Sequence, residues 1–115
     1  MSYFKTSRFT SFLSESDSGR PTPLSPTNTN VLLHLTAHRN ERVWIYVSNL
    51  DPVARDVLVF VGGETNDDVL RLKVPAHSTI SAIPHGGSLV LGRHQRIWAL
   101  TTAGNVNVIG RIEAA

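Results

Sequence analysis

The sequence predicts an all-β protein: a single β-sandwich, with a jelly roll as the preferred wiring, preceded by an extended N-terminal arm. Two runs dense in β-branched and aromatic residues lie within residues 42–61, on either side of a breaker segment at residues 49–52. Further short apolar runs follow at roughly ten-residue spacing, and turn-forming residues separate them. No segment has a convincing helical periodicity, so the fold class depends on strands alone.

The central pair of runs is apolar on both faces. In the first run Val43, Ile45 and Val47 fall on one face of a strand, and Trp44 and Tyr46 fall on the other. The second run repeats this pattern. Because a strand that is apolar on both faces is normally covered on both, we expect a second sheet or a partner protein over these strands.

The other predicted strands are shorter and carry weaker patterns. They cover residues 31–36, 68–74, 78–83, 88–91, 95–102 and 106–113. The alternation over 68–74 indicates one solvated face. Eight strands fit a sandwich, but the sequence leaves immunoglobulin-like and jelly-roll strand orders open.

Length and composition allow one domain and exclude several classes. The chain has 115 residues, no cysteine and a net charge of +2, and its basic residues are scattered. We therefore expect no disulfide framework and no nucleic-acid partner. No apolar stretch approaches the roughly 20 residues that span a bilayer, and residues 1–20 are too polar for a signal peptide. The sequence predicts a protein made in the cytoplasm, with no membrane partner.

Residues 1–30 differ from the predicted β-sandwich domain at 31–115. They are rich in Ser and Thr and contain prolines at positions 21, 23 and 26, which favour an extended arm. Large apolar side chains stand out in this polar context: Tyr3, Phe4, Phe9, Phe12 and Leu13. They predict anchors that bind a neighbouring subunit, and the alternative is a disordered tail without function.

Candidate catalytic and metal-binding residues form no recognised motif. The five histidines, at positions 34, 38, 77, 85 and 94, lack the paired spacing of a zinc site, and only His34 falls in a predicted strand. No G-x-S-x-G elbow is present, and Asp67 and Asp68 would point to opposite faces of a strand. The sequence predicts no enzyme, no catalytic or metal site and no cofactor, with a cupin-like metal enzyme as a distant alternative.

Three aromatic residues leave a second class of function open. Trp44, Tyr46 and Trp98 could form a platform on which sugars or bases stack, as in a carbohydrate-binding module. Their place inside the most apolar strands favours packing in the core instead.

Four segments carry a resemblance to a known class of proteins. They read WIYVSNLDP, VLVFVGG, RLKVPAHSTI and GGSLVLGRHQRIWALTTAGNVNVIGRIE. In its turn placement and hydrophobic alternation, this stretch of about residues 31–113 resembles small virion proteins of tailed bacteriophages. The resemblance implies a non-enzymatic structural protein of the virion that forms homo-oligomers and decorates or cements the capsid through its arm and its β-domain.

The resemblance also implies the partners and the rival locations. The partners would be the major capsid protein or other virion proteins, and the arm would run along the lattice with its aromatic residues as anchors. A neck, tail or fibre component is the alternative within the same class. Removing residues 1–30 is expected to leave the body folded and to abolish binding to the particle.

Overall fold

The computed structural model describes residues 6–10, 22–36, 39–62 and 69–114, with the backbone alone described for 6–10 and 114. No described residue is α-helical, and a 3-10 turn lies at Pro84–Gly86. The strands are β1 (Thr6–Thr10), β2 (Thr22–Pro23), β3 (Val31–Leu35), β4 (Asn40–Asn49), β5 (Arg55–Val61), β6 (Val69–Val74), β7 (Thr79–Ser81), β8 (Leu89–Gly92), β9 (Arg96–Thr101) and β10 (Val106–Ala114). The prediction of an all-β sandwich is confirmed.

The strands form two antiparallel sheets. Sheet A has β10 and β4 at its centre, with β1 and β2 along the free edge of β10 and with β7 and β8 along the free edge of β4. Sheet B has the strand order β3-β9-β5-β6. The two central runs of the sequence, β4 and β5, therefore lie in different sheets, and the breaker at residues 49–52 carries the chain from one to the other.

Strand pairing is nested along the chain. The hairpin β5–β6 is innermost, β4 pairs with β7 and β8 around it, β3 pairs with β9 around those, and β2 pairs with β10 outside them all. Successive pairs in this series alternate between sheet B and sheet A. The order could not be read from local patterns, because pairing partners far apart in sequence leave no local signal.

The core lies between the two sheets and is made of aliphatic side chains. Val43, Ile45 and Val47 of β4 are fully buried, as the alternation predicts, and they face Val57 and Val59 of β5. Apolar burial of this kind contributes about 25 cal/mol per Å² of area removed from water. The core therefore accounts for the fold of a chain that has no cysteine to crosslink it.

The body begins before the predicted boundary between residues 30 and 31. Leu24 is only 2% exposed and belongs to the core, and its backbone N–H donates a hydrogen bond to the carbonyl of Val106 over 2.9 Å. Pro23 lies in β2 at the edge of sheet A, where a residue without an N–H is tolerated. Residues 22–30 thus pack on the sandwich, although the sequence assigns them to the arm.

Candidate interaction surfaces

The outer face of sheet B carries a row of apolar side chains across all four strands. Leu32 lies opposite Trp98, Trp98 lies opposite Phe60, and Phe60 lies opposite Val69. Phe60 is 6% exposed, yet it is not part of the cluster between the sheets. Side chains directly opposite one another on one face of a sheet are in contact range, so this row forms a second apolar layer outside the core.

A second row of paired residues lies beside the first, and charged residues follow beyond it. Leu58 lies opposite Leu100 on one side and opposite Arg71 on the other. Asp56 and Lys73 form the next pair, and both are exposed. We call the residues of these rows the sheet B face; they are Leu32, Asp56, Leu58, Phe60, Val69, Arg71, Lys73, Trp98 and Leu100. The face is apolar at one end and charged at the other.

A shallow hollow lies at the charged end of the sheet B face. Its volume is about 420 Å³, and its lining includes Leu58, Arg71 and Lys73. The two cationic side chains outnumber the one acidic residue of the lining, Asp56, and this excess suits an acidic group of a protein partner better than a neutral ligand. Asp56 and Lys73 are the acidic and basic groups of its lining that lie opposite one another, and both are exposed to water, so we treat them as a surface pair and assign the hollow no chemistry.

The outer face of sheet A is organised around Trp44. The guanidinium carbon of Arg111 lies 4.3 Å from the centroid of the Trp44 ring, and that of Arg42 lies 5.9 Å away. Glu113 accepts a hydrogen bond from Arg111 Nη2 over 3.2 Å, and its other oxygen lies 3.9 Å from Arg42 Nη1. The two arginines therefore occupy the Trp44 ring through cation–π contacts. Their contacts with Glu113 hold them on the sheet.

The preference for core packing of the three aromatic residues is wrong. Trp44, Tyr46 and Trp98 are partly exposed, and all three lie on outer faces of the sandwich. The core positions of the same strands are filled by Ile45 and Ile97 and their aliphatic neighbours. A strand that is apolar on both faces gives no local indication of which face turns inward, so the two alternatives could not be separated from the sequence.

The predicted arm anchors lie largely outside the described residues. Phe9 belongs to β1, where its backbone lies opposite Arg111 of β10. The other four, Tyr3, Phe4, Phe12 and Leu13, lie in segments that the structure does not describe. Their role as partner-binding residues stays a prediction.

The described histidines do not converge on a common metal centre. His77, His85 and His94 lie in turns and have φ angles of 53°, 60° and 65°, a left-handed conformation in which histidine is enriched. His38 lies outside the described residues. Among the residues that the structure covers, no group of three or more His, Cys, Asp and Glu side chains is placed to hold a metal ion.

His34 is buried and bonded to a residue that the sequence did not single out. Its Nε2 lies 2.6 Å from Oε1 of Glu41, and the two side chains are 10% and 1% exposed. The cause is a β-bulge in β3: Leu32 lies opposite Trp98 and His34 opposite Ile97, so both Leu33 and His34 point inward. The pair links sheet B to sheet A at one end of the sandwich.

A second polar cluster, around Asp51, closes a corner of the sandwich. Oδ2 of Asp51 accepts hydrogen bonds from the backbone N–H of Asn105 over 2.7 Å and from Nε of Arg55 over 2.9 Å. These bonds hold the pKa of the Asp51 carboxyl below its ordinary value of 3.8, and the bond from Asn105 has the largest effect. The carboxylate is thus used within the protein to join the β4–β5 and β9–β10 connections.

The neighbouring Asn49 side chain extends this corner. Its Nδ2 donates hydrogen bonds to the carbonyls of Val53, Val74 and Pro75 over 2.8, 3.1 and 3.2 Å, and its Oδ1 accepts one from the backbone N–H of Asp51 over 2.9 Å. Every polar group named here bonds to another part of the chain. The corner is therefore a structural cluster and offers no open position to a substrate.

No protein-family model matches this chain, and no curated protein matches it. Within the described ranges, none of the helical segments is long or apolar enough to cross a membrane. Function must be inferred from the surfaces themselves. In the part of the chain that the structure describes, the sheet B face and the outer face of sheet A around Trp44 are extended surfaces that these buried polar clusters do not occupy.

Proposed function

We propose that this protein is a structural component of a bacteriophage virion, a capsid decoration or cement protein without enzymatic activity. It is made in the host cytoplasm and binds the major capsid protein or other virion proteins as a homo-oligomer. It acts by binding the assembled head more tightly than the free subunits, which stabilises the assembled state by mass action. Repetition of the site over a symmetric shell multiplies a modest affinity of each copy.

The observation that carries the proposal is the composition of the sheet B face. Residues on the solvated face of a sheet are normally polar. Here Leu58, Leu100 and Trp98 occupy outward positions of two adjacent strands instead. A contiguous apolar patch of this kind is typical of a protein-binding surface. Burial of what remains exposed would favour docking, since full burial of each such side chain is worth about 1.5–3 kcal/mol.

The charges at the border of the face favour one kind of partner. Arg71 and Lys73 are exposed on β6, the edge strand of sheet B, and Arg96 is exposed at the end of β9. Asp56, opposite Lys73, is the one acidic residue of the sheet B face, so the excess of basic residues favours an acidic partner surface. The occupant that we propose is therefore an acidic patch of a capsid subunit.

The topology is compatible with this role. The nested pairing supports the jelly-roll wiring that the sequence predicts, and that wiring occurs in capsid proteins as well as in lectins and cupins. Because one fold serves unrelated functions, this support is secondary to that of the sheet B face.

A neck, tail or fibre component is the alternative within the same class, because the same face and arm would serve there. Copy number separates the two. In purified particles of the source phage, quantitative mass spectrometry should give a ratio to the major capsid protein near one for a decoration protein. A ratio of a few per cent would move the protein to the neck or tail, and absence from the particle would contradict a virion role.

A carbohydrate-binding module is the alternative from a different class. Trp98 is partly exposed in the middle of the sheet B face, where a sugar ring could stack on it. Trp44 suits this role less, because Arg111 already stacks on its ring. Quenching of tryptophan fluorescence by sugars in wild type and its loss in Trp98→Leu would favour this alternative over decoration.

A further inference from the structure

β6 is the most regular strand at an edge of the sandwich. All six of its residues pair with β5 without a bulge, and in the part of the chain that the structure describes no strand pairs with its other side. A strand at the edge of a sheet presents unpaired backbone N–H and C=O groups to any chain that can pair with them. β6 therefore offers a template for an added strand.

The other described edges of the two sheets are blunted. β3, at the opposite edge of sheet B, contains a register shift between Leu32 and His34. In sheet A, β7 and β8 along β4 have three and four residues, and β1 and β2 along β10 have five and two. Bulges and short edge strands prevent regular pairing with another chain. β6 has neither device.

The hydrogen bonds of β5 show which backbone groups of β6 are open. Gly62, directly after β5, donates its N–H to the carbonyl of Arg96 over 2.8 Å, toward β9. Successive residues of a strand direct their N–H and C=O groups to alternate sides, so those of Val59 point to β6. Its partner Leu70 points back at β5. The residues of β6 whose backbone groups point to the free edge are then Val69, Arg71 and Lys73.

Two cationic side chains stand at the same edge. Arg71 and Lys73 are exposed on the outward face of sheet B, and Asp56 lies opposite Lys73 on the β5 side, where it offsets part of this charge. Leu72, between the two cations, is half-buried and packs on the core cluster. An added strand would therefore meet a cation, an apolar side chain and a cation in succession.

The two cations select against a second copy of β6. Pairing of two β6 strands would bring Arg71 and Lys73 of one copy beside those of the other, and like charges opposite one another destabilise a strand pair. Acidic side chains at the same positions would lie within reach of both cations. Charge therefore favours an acidic strand that belongs to a different protein.

We propose that β6 binds an extended segment of a partner protein by antiparallel strand addition. The segment carries acidic residues opposite Arg71 and Lys73 and an apolar residue between them, opposite Leu72. Main-chain hydrogen bonds provide affinity in this mode of binding, and alternate side chains provide specificity. The hollow beside Arg71 and Lys73 leaves room for the outward side chains of the segment. The inference deepens the proposed function, on which it rests for the source of the segment: a capsid subunit or another virion protein.

Synthetic peptides test the charge pattern on the full-length chain. The probe is the capped peptide Thr-Val-Glu-Val-Glu-Val-Thr, and its matched control has Lys in place of both Glu residues. In calorimetric titration we expect the Glu peptide to bind about tenfold more tightly or better, because its charges complement the edge. Arg71→Glu should weaken its binding about tenfold for the same reason. Arg93→Glu, the same change at an exposed position in the β8–β9 turn, should leave binding unchanged.

Methylated peptides test the backbone pairing. In an antiparallel pair, Glu residues opposite Arg71 and Lys73 direct their N–H groups toward β6, and Val residues direct theirs away. Methylation of both Glu nitrogens should abolish binding, and methylation of two Val nitrogens should preserve it. Amide hydrogen exchange gives a second readout. The Glu peptide should slow exchange at the N–H groups of Arg71 and Lys73, whereas that of Leu72, bonded to β5, exchanges slowly without it.

Two results would overturn strand addition. Equal binding of the Glu and Lys peptides, or no binding of either, would show that Arg71 and Lys73 serve to blunt this edge. Equal binding of the two methylated peptides would show that acidic side chains bind without backbone pairing. These tests need purified chain and peptides alone, whereas copy number in particles tests the virion role, so the failure of one is distinguishable from the failure of the other.

Discussion

His34 and Glu41 are joined by a 2.6 Å contact that ties the two sheets together at one end of the sandwich. His34 lies on β3 of sheet B and Glu41 on β4 of sheet A. Both side chains are removed from water, so each depends on the other and on the surrounding chain for its polar contacts.

Loss of one member of this buried pair should destabilise the fold more than loss of both. Glu41→Leu is expected to lower the free energy of unfolding by roughly 1–3 kcal/mol, because it removes the hydrogen bond of a buried polar group on the His34 ring. The double variant His34→Leu/Glu41→Leu should lose less than Glu41→Leu. Urea unfolding of both measures this.

The control for the buried pair is Glu113→Leu. Glu113 bonds to Arg111 in a partly buried pair that is more open to water than the His34–Glu41 pair, so its loss should cost less, on the order of 1 kcal/mol. Equal losses in Glu41→Leu and Glu113→Leu would show that burial does not govern the cost.

Gly104 should tolerate no side chain. Its φ is +83°, and a Cβ at this position would collide with Oδ2 of Asp51 and Nε of Arg55. Gly104→Ala is expected to cost about 3 kcal/mol or more, from backbone strain and from displacement of the Asp51 cluster. Gly86→Ala is the matched control: its φ is +69°, but nothing lies within 4 Å of the added Cβ, so only about 1 kcal/mol should be lost. If Gly104→Ala and Gly86→Ala lower the free energy of unfolding by similar amounts, the positive φ alone would explain the loss.

The Asp51 carboxyl should make stability depend on pH in the acid range. Its pKa in the folded protein lies below that of the unfolded chain, so the carboxylate stabilises the fold at neutral pH. This stabilisation is fully present above the pKa of the unfolded chain and is lost as pH falls through the lower pKa of the folded protein. Asp51→Asn removes it, so the variant should lose less stability than wild type between pH 6 and pH 3.

Denaturant unfolding over this pH range measures the Asp51 contribution. Identical slopes for Asp51→Asn and wild type would mean that the corner bonds do not favour the charged carboxylate.

The sheet B face should control attachment to the particle. Leu58→Asp places a charge in the apolar part of this face and is expected to weaken binding to purified heads at least tenfold, which corresponds to about 1.4 kcal/mol. Val90→Asp makes a similar change at an exposed position on β8 of sheet A, which is 59% exposed, and should bind as wild type does. Co-sedimentation with heads that lack the protein measures both. Equal weakening in the two variants would remove the special role of sheet B.

The position of Leu24 changes the expected result of truncating the arm. Removal of residues 1–21 should leave the body folded and should abolish particle binding. Removal of residues 1–30 also takes Leu24 from the core, at a cost of about 2–5 kcal/mol, and should lower the melting temperature clearly. Circular dichroism and co-sedimentation separate the two effects. Unchanged binding by the protein that lacks residues 1–21 would refute the anchor role of the arm.

The strands were predictable from the sequence because β structure leaves a two-residue period. Each of the eight predicted strands overlaps one of β3–β10, and Val43, Ile45 and Val47 are buried together. The inward position of His34 was not predictable, because it depends on a bulge that shifts the alternation within β3. Leu24 was hidden among prolines that disfavour a central strand but permit an edge strand and a core contact.

The sheet B face was visible only in part. Alternation indicated that Leu58 and Phe60 share a face, but their proximity to Trp98 and Leu32 depends on strand order. Strand order follows from pairing over long sequence separations, which leaves no local pattern. The same reason explains why the Asp51 corner was missed, since Asp51 and Asn105 meet only after the sandwich closes.

Nested pairing also bears on how the chain reaches its fold. β10 joins β4 across a long stretch of sequence, and such long-range contacts usually slow folding. Once the β5–β6 hairpin has formed, however, only the short connections at 50–54 and 75–78 separate β4 from β7. Each completed pair shortens the loop that the next pair must close, so the loop-closure entropy is divided into small steps. The sandwich can therefore form outward from the central β5–β6 hairpin, with β10 pairing last.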